Sequence, residues 1–385
     1  MRFRHRDGTP VHLAYCTNVH PAEDLPGVLA QLAAHAEPVR ERLNTGRLGL
    51  GLWLARDAAR ALAADPSAVT RLGRELAVRG LETVTLNGFP YRGFHEPVVK
   101  RRVFTPDWTD PRRLAHTLDL ARVLAALLPE DAARGSVSTV PLGWGAGWSP
   151  AREERALFHL ALLADGLAKL AAETGRRVRV GLEPEPGAAV DTAAEAAARL
   201  AGRVDPERVG VCLDACHLAV DFERPASAVA ALTRAGLPVV KAQLSAALQT
   251  DRPGDPTARA ALGRFAEPRF LHQTRGPAPC ARWDDLPAAL TAPPDAPGPW
   301  RTHMHIPLHA DPAPPLASTR PVLEETLTAL LAGPAPVTDH LEAETYTWSV
   351  LPEPPEPGGL TAGIAAELAW TRARLLAHGL TEEPT

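Results

Sequence analysis

The chain has 385 residues, of which 45% are hydrophobic and 22% are charged, so its composition excludes a wholly disordered protein. Its formal net charge of −4 argues against a broad interface with nucleic acid or anionic membrane, and we expect no nucleic-acid partner. No apolar run approaches the roughly 20 residues that span a bilayer. The basic N-terminal segment also lacks the apolar core of a signal peptide. We therefore expect no transmembrane segment and a cytoplasmic location.

Short runs rich in Val and Leu alternate along the chain with Ala-, Leu- and Arg-rich segments of helical period. Strands are predicted at 11–18, 47–54, 81–87, 136–142, 177–184, 209–215, 239–244, 302–306 and 340–347. Helices are predicted at 22–43, 56–79, 110–128, 151–174, 191–203, 225–235, 318–332 and 359–378. Such alternation implies parallel strands joined by right-handed crossovers. Eight or nine units predict an α/β fold of the (β/α)₈ TIM-barrel type rather than a doubly wound sheet.

Residues 245–316 interrupt this alternation, because they contain fourteen prolines and only short helical stretches. Proline at that density is incompatible with a long helix or a central strand. A linker between two domains is one interpretation, but the chain after it has too few elements for a second core. We favour a single domain over residues 1–385, with 245–316 as a proline-rich insertion over the C-terminal face of the barrel. The four cysteines, which include Cys280, are too scattered for a disulfide scaffold.

Polar residues recur at the carboxyl ends of the late strands, on the face opposite the apolar residues. This alternation places one set of side chains around a common point on the barrel axis: Glu183, Asp214, Gln243, His303 or His305, and Glu344. Several carboxylates in such an interior would repel one another, whereas a divalent cation such as Zn or Mn removes that cost. His217, three residues after Asp214, adds an imidazole.

Each of these residues also has a structural explanation. Glu183 could cap a neighbouring helix, Asp214 could be a helix N-cap, and Lys241 could form an ion pair with either of them. The histidines at 303 and 305 could be solvated. Together, however, the same polar ending on five segments favours a metal site.

Further polar and aromatic residues follow the early strands or lie in the insertion, and these are the predicted substrate contacts. Two arginines among them are suited to a phosphate or carboxylate group. The set is Tyr15, Asn18, Trp53, Asn87, Arg92, His95, Lys241, His272 and Arg275.

Four segments resemble the xylose isomerase-like, or sugar phosphate isomerase/epimerase, TIM barrels, a superfamily that includes endonuclease IV. They are GLEPEPG at 181–187, VGVCLDACH at 209–217, VVKAQLS at 239–245 and LEAETYTW at 341–348. The resemblance implies metal ligation by Glu183, Asp214, Gln243 and Glu344, with Gln243 at a position where the family usually has His. It also implies additional ligands at His217, His303 and His305, in the manner of the multi-metal endonuclease IV branch. There the family has Asp-x-His, whereas this chain has His-x-His.

Longer phrases resemble the EboE-type metabolite-traffic proteins. These are HLAYCTNVHP, LNGFPYRGFHEPVVKRRVFTPDW, RFLHQTR and RTHMHIPLH. The resemblance implies a role in metabolite biosynthesis or traffic and a functional link to a membrane prenyltransferase-like protein.

The leading functional hypothesis is a metal-dependent isomerase or epimerase that acts on a small polyhydroxylated or phosphorylated metabolite. The cation would chelate adjacent oxygens of an α-hydroxycarbonyl and stabilise the enediolate, and Glu183 and Glu344 would move the proton as catalytic residues. Three further hypotheses stay open: a non-catalytic metabolite carrier, a metal-dependent phosphoester hydrolase, and a Schiff-base aldolase that uses Lys241. The sequence does not fix the oligomeric state.

Overall fold

The computed structural model describes residues 1–277, 281–293, 298–356 and 358–384. Its strands are β1 (Arg2–Arg4), β2 (Pro10–Cys16), β3 (Leu48–Trp53), β4 (Leu81–Asn87), β5 (Gly135–Thr139), β6 (Val178–Leu182), β7 (Val209–Asp214), β8 (Val239–Leu244), β9 (Leu248–Thr250), β10 (Thr274–Arg275), β11 (Arg282–Trp283), β12 (Trp300–Thr302), β13 (Leu316–Ser318), β14 (His340–Ala343) and β15 (Thr381–Glu382). Its helices are α1 (Leu25–Gln31), α2 (Glu37–Arg42), α3 (Arg56–Ala64), α4 (Pro66–Val78), α5 (Pro111–Leu127), α6 (Pro150–Thr174), α7 (Ala193–Leu200), α8 (Ala215–Val220), α9 (Pro225–Arg234), α10 (Pro256–Gly263), α11 (Leu286–Ala289), α12 (Arg320–Leu331) and α13 (Gly359–Ala377).

Eight of these strands form a closed parallel barrel. The order runs from β2 through β8 to β14, and β14 pairs in parallel with β2 to close it. Helices follow the strands and cover the outside, with their apolar side chains in one contiguous core. The predicted (β/α)₈ TIM barrel is therefore confirmed. None of the described helices is long and apolar enough to cross a membrane.

Three predicted elements differ from the structure. The predicted strand at 302–306 is only the end of β12, which belongs to a separate small sheet and not to the barrel. The last barrel strand stops at Ala343, because the chain turns into a 3₁₀ helix at Tyr346–Val350. The predicted helix at 56–79 is two helices, since Asp65 caps α4 and Pro66 occupies its first turn.

The predicted insertion at 245–316 forms most of a five-stranded antiparallel sheet in the order β11, β10, β12, β9 and β13, and β13 extends beyond it to Ser318. Leu248, Trp300 and Met304 of this segment are buried in the same contiguous core as the barrel strands. The segment continues from β12 directly into His303 and His305, and both are buried.

A buried ion pair occupies the barrel interior between β8 and β14. The Lys241 ammonium contacts the Glu342 carboxylate, and both side chains are completely shielded from solvent. Room for Glu342 comes from Gly51 of β3, where a Cβ atom would lie 1.3 Å from Glu342 Oε1. Glycine is therefore required at this position by a neighbouring side chain rather than by its own backbone angles.

The described cysteines, Cys16, Cys212 and Cys216, are free and buried, and Cys280 lies outside the described residues.

Candidate active site

Three carboxylates converge at the carboxyl end of the barrel, two of them from the adjacent strands β6 and β7 and one from β14. Glu183 directly follows β6, Asp214 ends β7, and Glu344 directly follows β14. One oxygen of each lies within 4.8 Å of the others, and all three residues are buried. We call this group the carboxylate site.

Asp214 acts as a helix cap and still has a free oxygen. Its Oδ1 accepts hydrogen bonds from the His217 backbone N–H at 2.9 Å and from the Ser245 hydroxyl at 2.8 Å. The first of these bonds begins helix α8. Its Oδ2 is buried and has no hydrogen-bond partner. The cap thus fixes the carboxylate while one oxygen stays available.

Glu344 is held by two amides from the early strands. Asn18 and Asn87 each donate a side-chain N–H to Glu344 Oε1, at 2.7 and 2.9 Å. Asn87 ends β4, and Asn18 follows β2 in a 3₁₀ turn. These two predicted substrate contacts therefore lie at the site and orient one of its carboxylates.

The pKa values of two of these carboxyl groups show that burying the three together disfavours the ionised forms. Burial, with the charges of Glu344 and Asp214 nearby, raises the pKa of Glu183 well above its usual range. Burial, with Asp214 and Glu342 nearby, raises the pKa of Glu344 to about 8. Like charges in a desolvated site oppose ionisation, and a divalent cation would reverse that effect.

The donor set at this site fits a divalent cation. Glu183 Oε2, Asp214 Oδ2 and both amide atoms of Gln243 are buried without a hydrogen-bond partner. Gln243 pairs in register with Asp214, and both belong to strands that end at this face. Buried polar atoms normally have hydrogen-bond partners. The unpaired oxygens of Glu183, Asp214 and Gln243 therefore suit a divalent cation, which binds oxygen ligands.

Three histidines form a second group beside the carboxylates, which we call the imidazole site. His217 Nε2 lies 3.1 Å from His303 Nε2, which lies 3.3 Å from His305 Nε2. Two nitrogens bound tetrahedrally to zinc at about 2.0–2.1 Å would be about 3.3 Å apart. One oxygen of Asp214 also lies within 4.8 Å of ligand nitrogens of His217 and His305.

The outer nitrogen of each histidine faces a hydrogen-bond acceptor. His217 Nδ1 donates to the Pro184 carbonyl at 2.8 Å, and His305 Nδ1 donates to the Glu344 carbonyl at 2.7 Å. His303 Nδ1 donates to the Gln273 side-chain oxygen at 2.7 Å. With Nδ1 protonated, the Nε2 lone pair of a neutral ring points into the group.

Burial keeps two of these rings neutral near pH 7. Burial and the neighbouring His217 and His305 hold the pKa of His303 well below its usual range. Burial lowers the pKa of His305 to about 4. Neutral imidazoles with converging Nε2 atoms are a donor set suited to zinc or a similar cation.

Seven predicted substrate contacts do not line the pocket above these two groups. Arg92 is exposed, and each of the other six side chains contacts another residue. The partners are His20 for Tyr15, the Pro90 carbonyl for Trp53, the Asn18 carbonyl for His95, Glu342 for Lys241, Glu267 and the His303 carbonyl for His272, and Asp221 for Arg275. The positions of these residues in the sequence suggested that they face the site. In the structure their side chains do not line the pocket.

Three residues of the site were missed by the sequence reasoning. Glu185 is buried beside His303, and Gln273 donates to Glu185 Oε1 at 2.7 Å while it accepts from His303. Burial raises the pKa of Glu185 to about 7. The hydroxyl of Tyr346 lies 3.4 Å from His303 Nε2. The i, i+2 spacing of Glu183 and Glu185 was a usable signal, whereas nothing in the sequence pointed to Gln273.

The barrel and its carboxyl-end site define an α/β-barrel protein of the type whose binding groups lie at the strand ends. Residues 49–262 match the model of the xylose isomerase-like TIM barrels, and the chain belongs to that family. No curated protein sequence matches it significantly.

Solved structures share the fold at low sequence identity. A protein from Anabaena variabilis ATCC 29413, provisionally described as a sugar phosphate isomerase/epimerase, is 16% identical with a TM-score of 0.52, over 96% of this chain and 99% of that one. A xylose isomerase domain protein from Alicyclobacillus acidocaldarius is 17% identical with a TM-score of 0.50, over 96% and 100%. D-psicose 3-epimerase from Clostridium cellulolyticum H10, solved with D-tagatose, is 13% identical with a TM-score of 0.50, over 94% and 99%.

Proposed function

We propose that the protein is a divalent-metal-dependent isomerase or epimerase that acts on a small metabolite with adjacent carbonyl and hydroxyl oxygens. The observation that carries this proposal is the convergence of three buried carboxylates, Glu183, Asp214 and Glu344, the first two of which each have an oxygen without a hydrogen-bond partner. Membership of the xylose isomerase-like family supports it. A bound cation would polarise the substrate carbonyl and acidify the neighbouring C–H group.

Two residues are placed to move the proton. Glu183 Oε2 has no hydrogen-bond partner and is therefore available to accept a proton, and a cation beside it would favour the ionised form that a general base needs. Glu344 comes from β14, beyond β7 and β8 around the barrel, and its pKa of about 8 lets it hold a proton near neutral pH. Glu183 removes the proton from carbon, and Glu344 serves the opposite face of the substrate. Asn18 and Asn87 keep Glu344 in place.

The imidazole site would hold a second cation, with His217, His303 and His305 as ligands. Each ring is oriented through its outer nitrogen, and these hydrogen bonds set the tautomer that a ligand needs. Three imidazoles are also the ligand set of zinc sites that activate water, and this favours phosphoester hydrolysis as a second candidate function.

The Schiff-base aldolase and the non-catalytic carrier have less support. Schiff-base chemistry needs an accessible amine, whereas Lys241 is fully buried and paired with Glu342. A carrier would need no proton-transfer groups, so Glu183 and Glu344 would have no role beyond ligation.

The experiment combines metal analysis with isotope exchange. Protein purified without chelators is analysed for Zn and Mn, then incubated with a panel of hydroxyketones in deuterated water, and label entry beside the carbonyl is followed. We expect stoichiometric metal and exchange in the wild type, and loss of exchange with metal retained in Glu183→Gln and Glu344→Gln, because an amide cannot accept the proton. Glu207→Gln, at an 80% exposed side chain, is the matched control.

Two outcomes would contradict the proposal. A protein that holds metal and binds a hydroxyketone but exchanges no deuterium would support the carrier. Turnover of a phosphoester without exchange would support the hydrolase.

We also propose a broader setting for the protein. Residues 1–385 act as one domain in which 245–316 covers the barrel mouth, since this segment supplies His303 and His305 to the site. The EboE-like phrases support a role in metabolite traffic in the cytoplasm, with a functional link to a membrane prenyltransferase-like protein.

A further inference from the structure

The pocket above the two metal-ligand groups has a polar floor and an apolar wall. The floor consists of Glu183 and Glu344 of the carboxylate site, the imidazole site, and Asn18, Asn87 and Glu185. The apolar wall, as we use the term, consists of Phe89, Phe94, Val99, Val103, Phe270 and Leu271. It is contributed by the segment after β4 and by the insertion.

The apolar wall is a built surface. The ring centroids of Phe94, Phe270 and Tyr346 lie 5.0, 5.4 and 4.9 Å apart in the three pairs, so each ring contacts the other two. Trp53 packs behind Phe94 at 5.9 Å. Tyr346 also contacts the His305 ring at 4.7 Å, which joins the wall to the imidazole site. This packing fixes the positions of the rings that a bound ligand would contact.

The pocket offers no free positive side chain in the described part of the chain. Lys100 is the one Lys or Arg that lines it, and its ammonium bonds to Asp285 Oδ2 at 2.7 Å and to the Glu267 carbonyl at 3.0 Å. The two arginines expected to bind phosphate, Arg92 and Arg275, do not line it. Phosphate recognition normally uses guanidinium or ammonium groups, so the described lining offers a phosphorylated substrate no free cationic side chain.

Few hydrogen-bonding atoms are left for a polyol. The amide N–H groups of Asn18 and Asn87 are directed to Glu344, and Asn87 Oδ1 accepts from the Phe89 backbone N–H. Asn18 Oδ1 is buried without a partner and can accept one hydroxyl. Hydroxyl groups placed against the phenylalanine rings would lose water without a replacement, and this disfavours a long hydroxylated chain.

We infer that the substrate is a small uncharged hydroxyketone whose far end is a hydrocarbon or aromatic group seated against the apolar wall. This inference rests on the proposed function, because the carboxylate site binds the adjacent oxygens at the other end. Asn18 Oδ1 accepts the single further hydroxyl. The substrate is thus neither a sugar phosphate nor a free sugar.

The test uses three metal-chelating probes that share one head group and differ in one substituent. Acetohydroxamate, phenylacetohydroxamate and phosphonoacetohydroxamate are titrated calorimetrically into Mn²⁺-loaded full-length protein. We expect the phenyl compound to bind at least tenfold more tightly than acetohydroxamate, because a phenyl group removed from water gains several times the free energy of a CH₂ group. The phosphonate should bind no more tightly than acetohydroxamate. Equal affinities, or a preference for the phosphonate, would overturn the inference.

Two variants test whether the apolar wall causes the preference for the phenyl compound. The ratios of the Kd values measured on the wild type decide the inference without these variants. Phe270→Ala should reduce the phenyl advantage to less than threefold and leave the Kd of acetohydroxamate within twofold. Phe158→Ala, at a 60% exposed residue of α6, is the matched control and should change neither value.

A metal-free measurement separates this inference from the proposed function. Failure of all three hydroxamates to bind would refute the metal centre. In that case saturation-transfer NMR with benzyl alcohol and glycerol on metal-free protein decides. A signal for benzyl alcohol that Phe270→Ala abolishes supports the apolar wall as a binding surface, and its absence in the wild type overturns the inference.

Discussion

Replacing Gly51 by alanine would test the packing of the barrel interior. The new Cβ would lie 1.3 Å from Glu342 Oε1 and 2.4 Å from Glu342 Cδ, so the two side chains cannot coexist. The backbone cannot retreat, because β3 is paired with β2 and with β4 at this position. Glu342 must therefore turn away, and its contact with the Lys241 ammonium breaks.

The magnitude follows from the burial of that ion pair. Both side chains are completely buried, and breaking a buried pair costs about 3–5 kcal/mol because a charge is left uncompensated. Alanine is favoured over glycine in a strand by roughly 0.5–1 kcal/mol, which offsets a small part. We expect Gly51→Ala to lower the free energy of unfolding by about 2–4.5 kcal/mol.

Urea unfolding followed by circular dichroism measures this change. Gly73→Ala in α4 is the matched control, since its Cβ would lie 3.6 Å from Leu127 Cδ2, an ordinary contact. In a helix that exchange should stabilise by roughly 0.5–1 kcal/mol. A Gly51→Ala protein within about 1 kcal/mol of wild type would refute the reasoning, as Glu342 would then have another place in the barrel.

Three further results are expected. Burial would raise the pKa of Glu82, but hydrogen bonds from Arg2 and the nearby His12 ring, whose Nδ1 lies 3.9 Å from Glu82 Oε1, outweigh it and lower that pKa to about 2. Its contribution of roughly 3 kcal/mol is therefore present above pH 4.5 and lost as the pH falls toward 2; urea unfolding at pH 5.5 and pH 3 should show a larger loss for wild type than for Glu82→Gln. His303→Ala should reduce the bound metal by one equivalent in elemental analysis, and an unchanged content would contradict the imidazole site. Removing metal with a chelator should lower the Tm of wild type, because the three carboxylates then repel one another, and an unaltered Tm would count against a bound cation.

The periodic elements of the fold were predictable from the sequence because each has a local cause. Apolar residues at helical spacing predict a helix at 151–174. The structure has α6 at Pro150–Thr174, with Ser149 as its N-cap. The short β14 was overextended to 347, since the alternation of LEAETYT continues past Ala343 while the backbone turns. The 302–306 segment has the alternation of a strand, yet its strand partners are distant residues of the insertion that no local pattern reveals.

The site was partly predictable for a related reason. Strand-end position brought Glu183, Asp214 and Glu344 together, since parallel strands end at the same face. Side-chain direction after the strand ends was not predictable, and Arg275 turned to Asp221 instead of the pocket. Gln273 lies in an irregular segment. The path of that segment is set by packing rather than by a periodic sequence pattern, so the position of Gln273 at the site was not predictable.

The hydrogen bonds of two histidines have a consequence for how the two proposed metal sites would be filled. His305 is oriented by the carbonyl of Glu344, and His217 by the carbonyl of Pro184, which follows Glu183. Each imidazole is thus anchored to the peptide group of a proposed carboxylate ligand or of the residue that follows one. If one cation orders the carboxylates, it also fixes the imidazole rings that would bind the second cation. The conformational entropy of these side chains is then lost when the first cation binds and is not lost again for the second. The two ions should load cooperatively, with a titration curve steeper than that of independent sites.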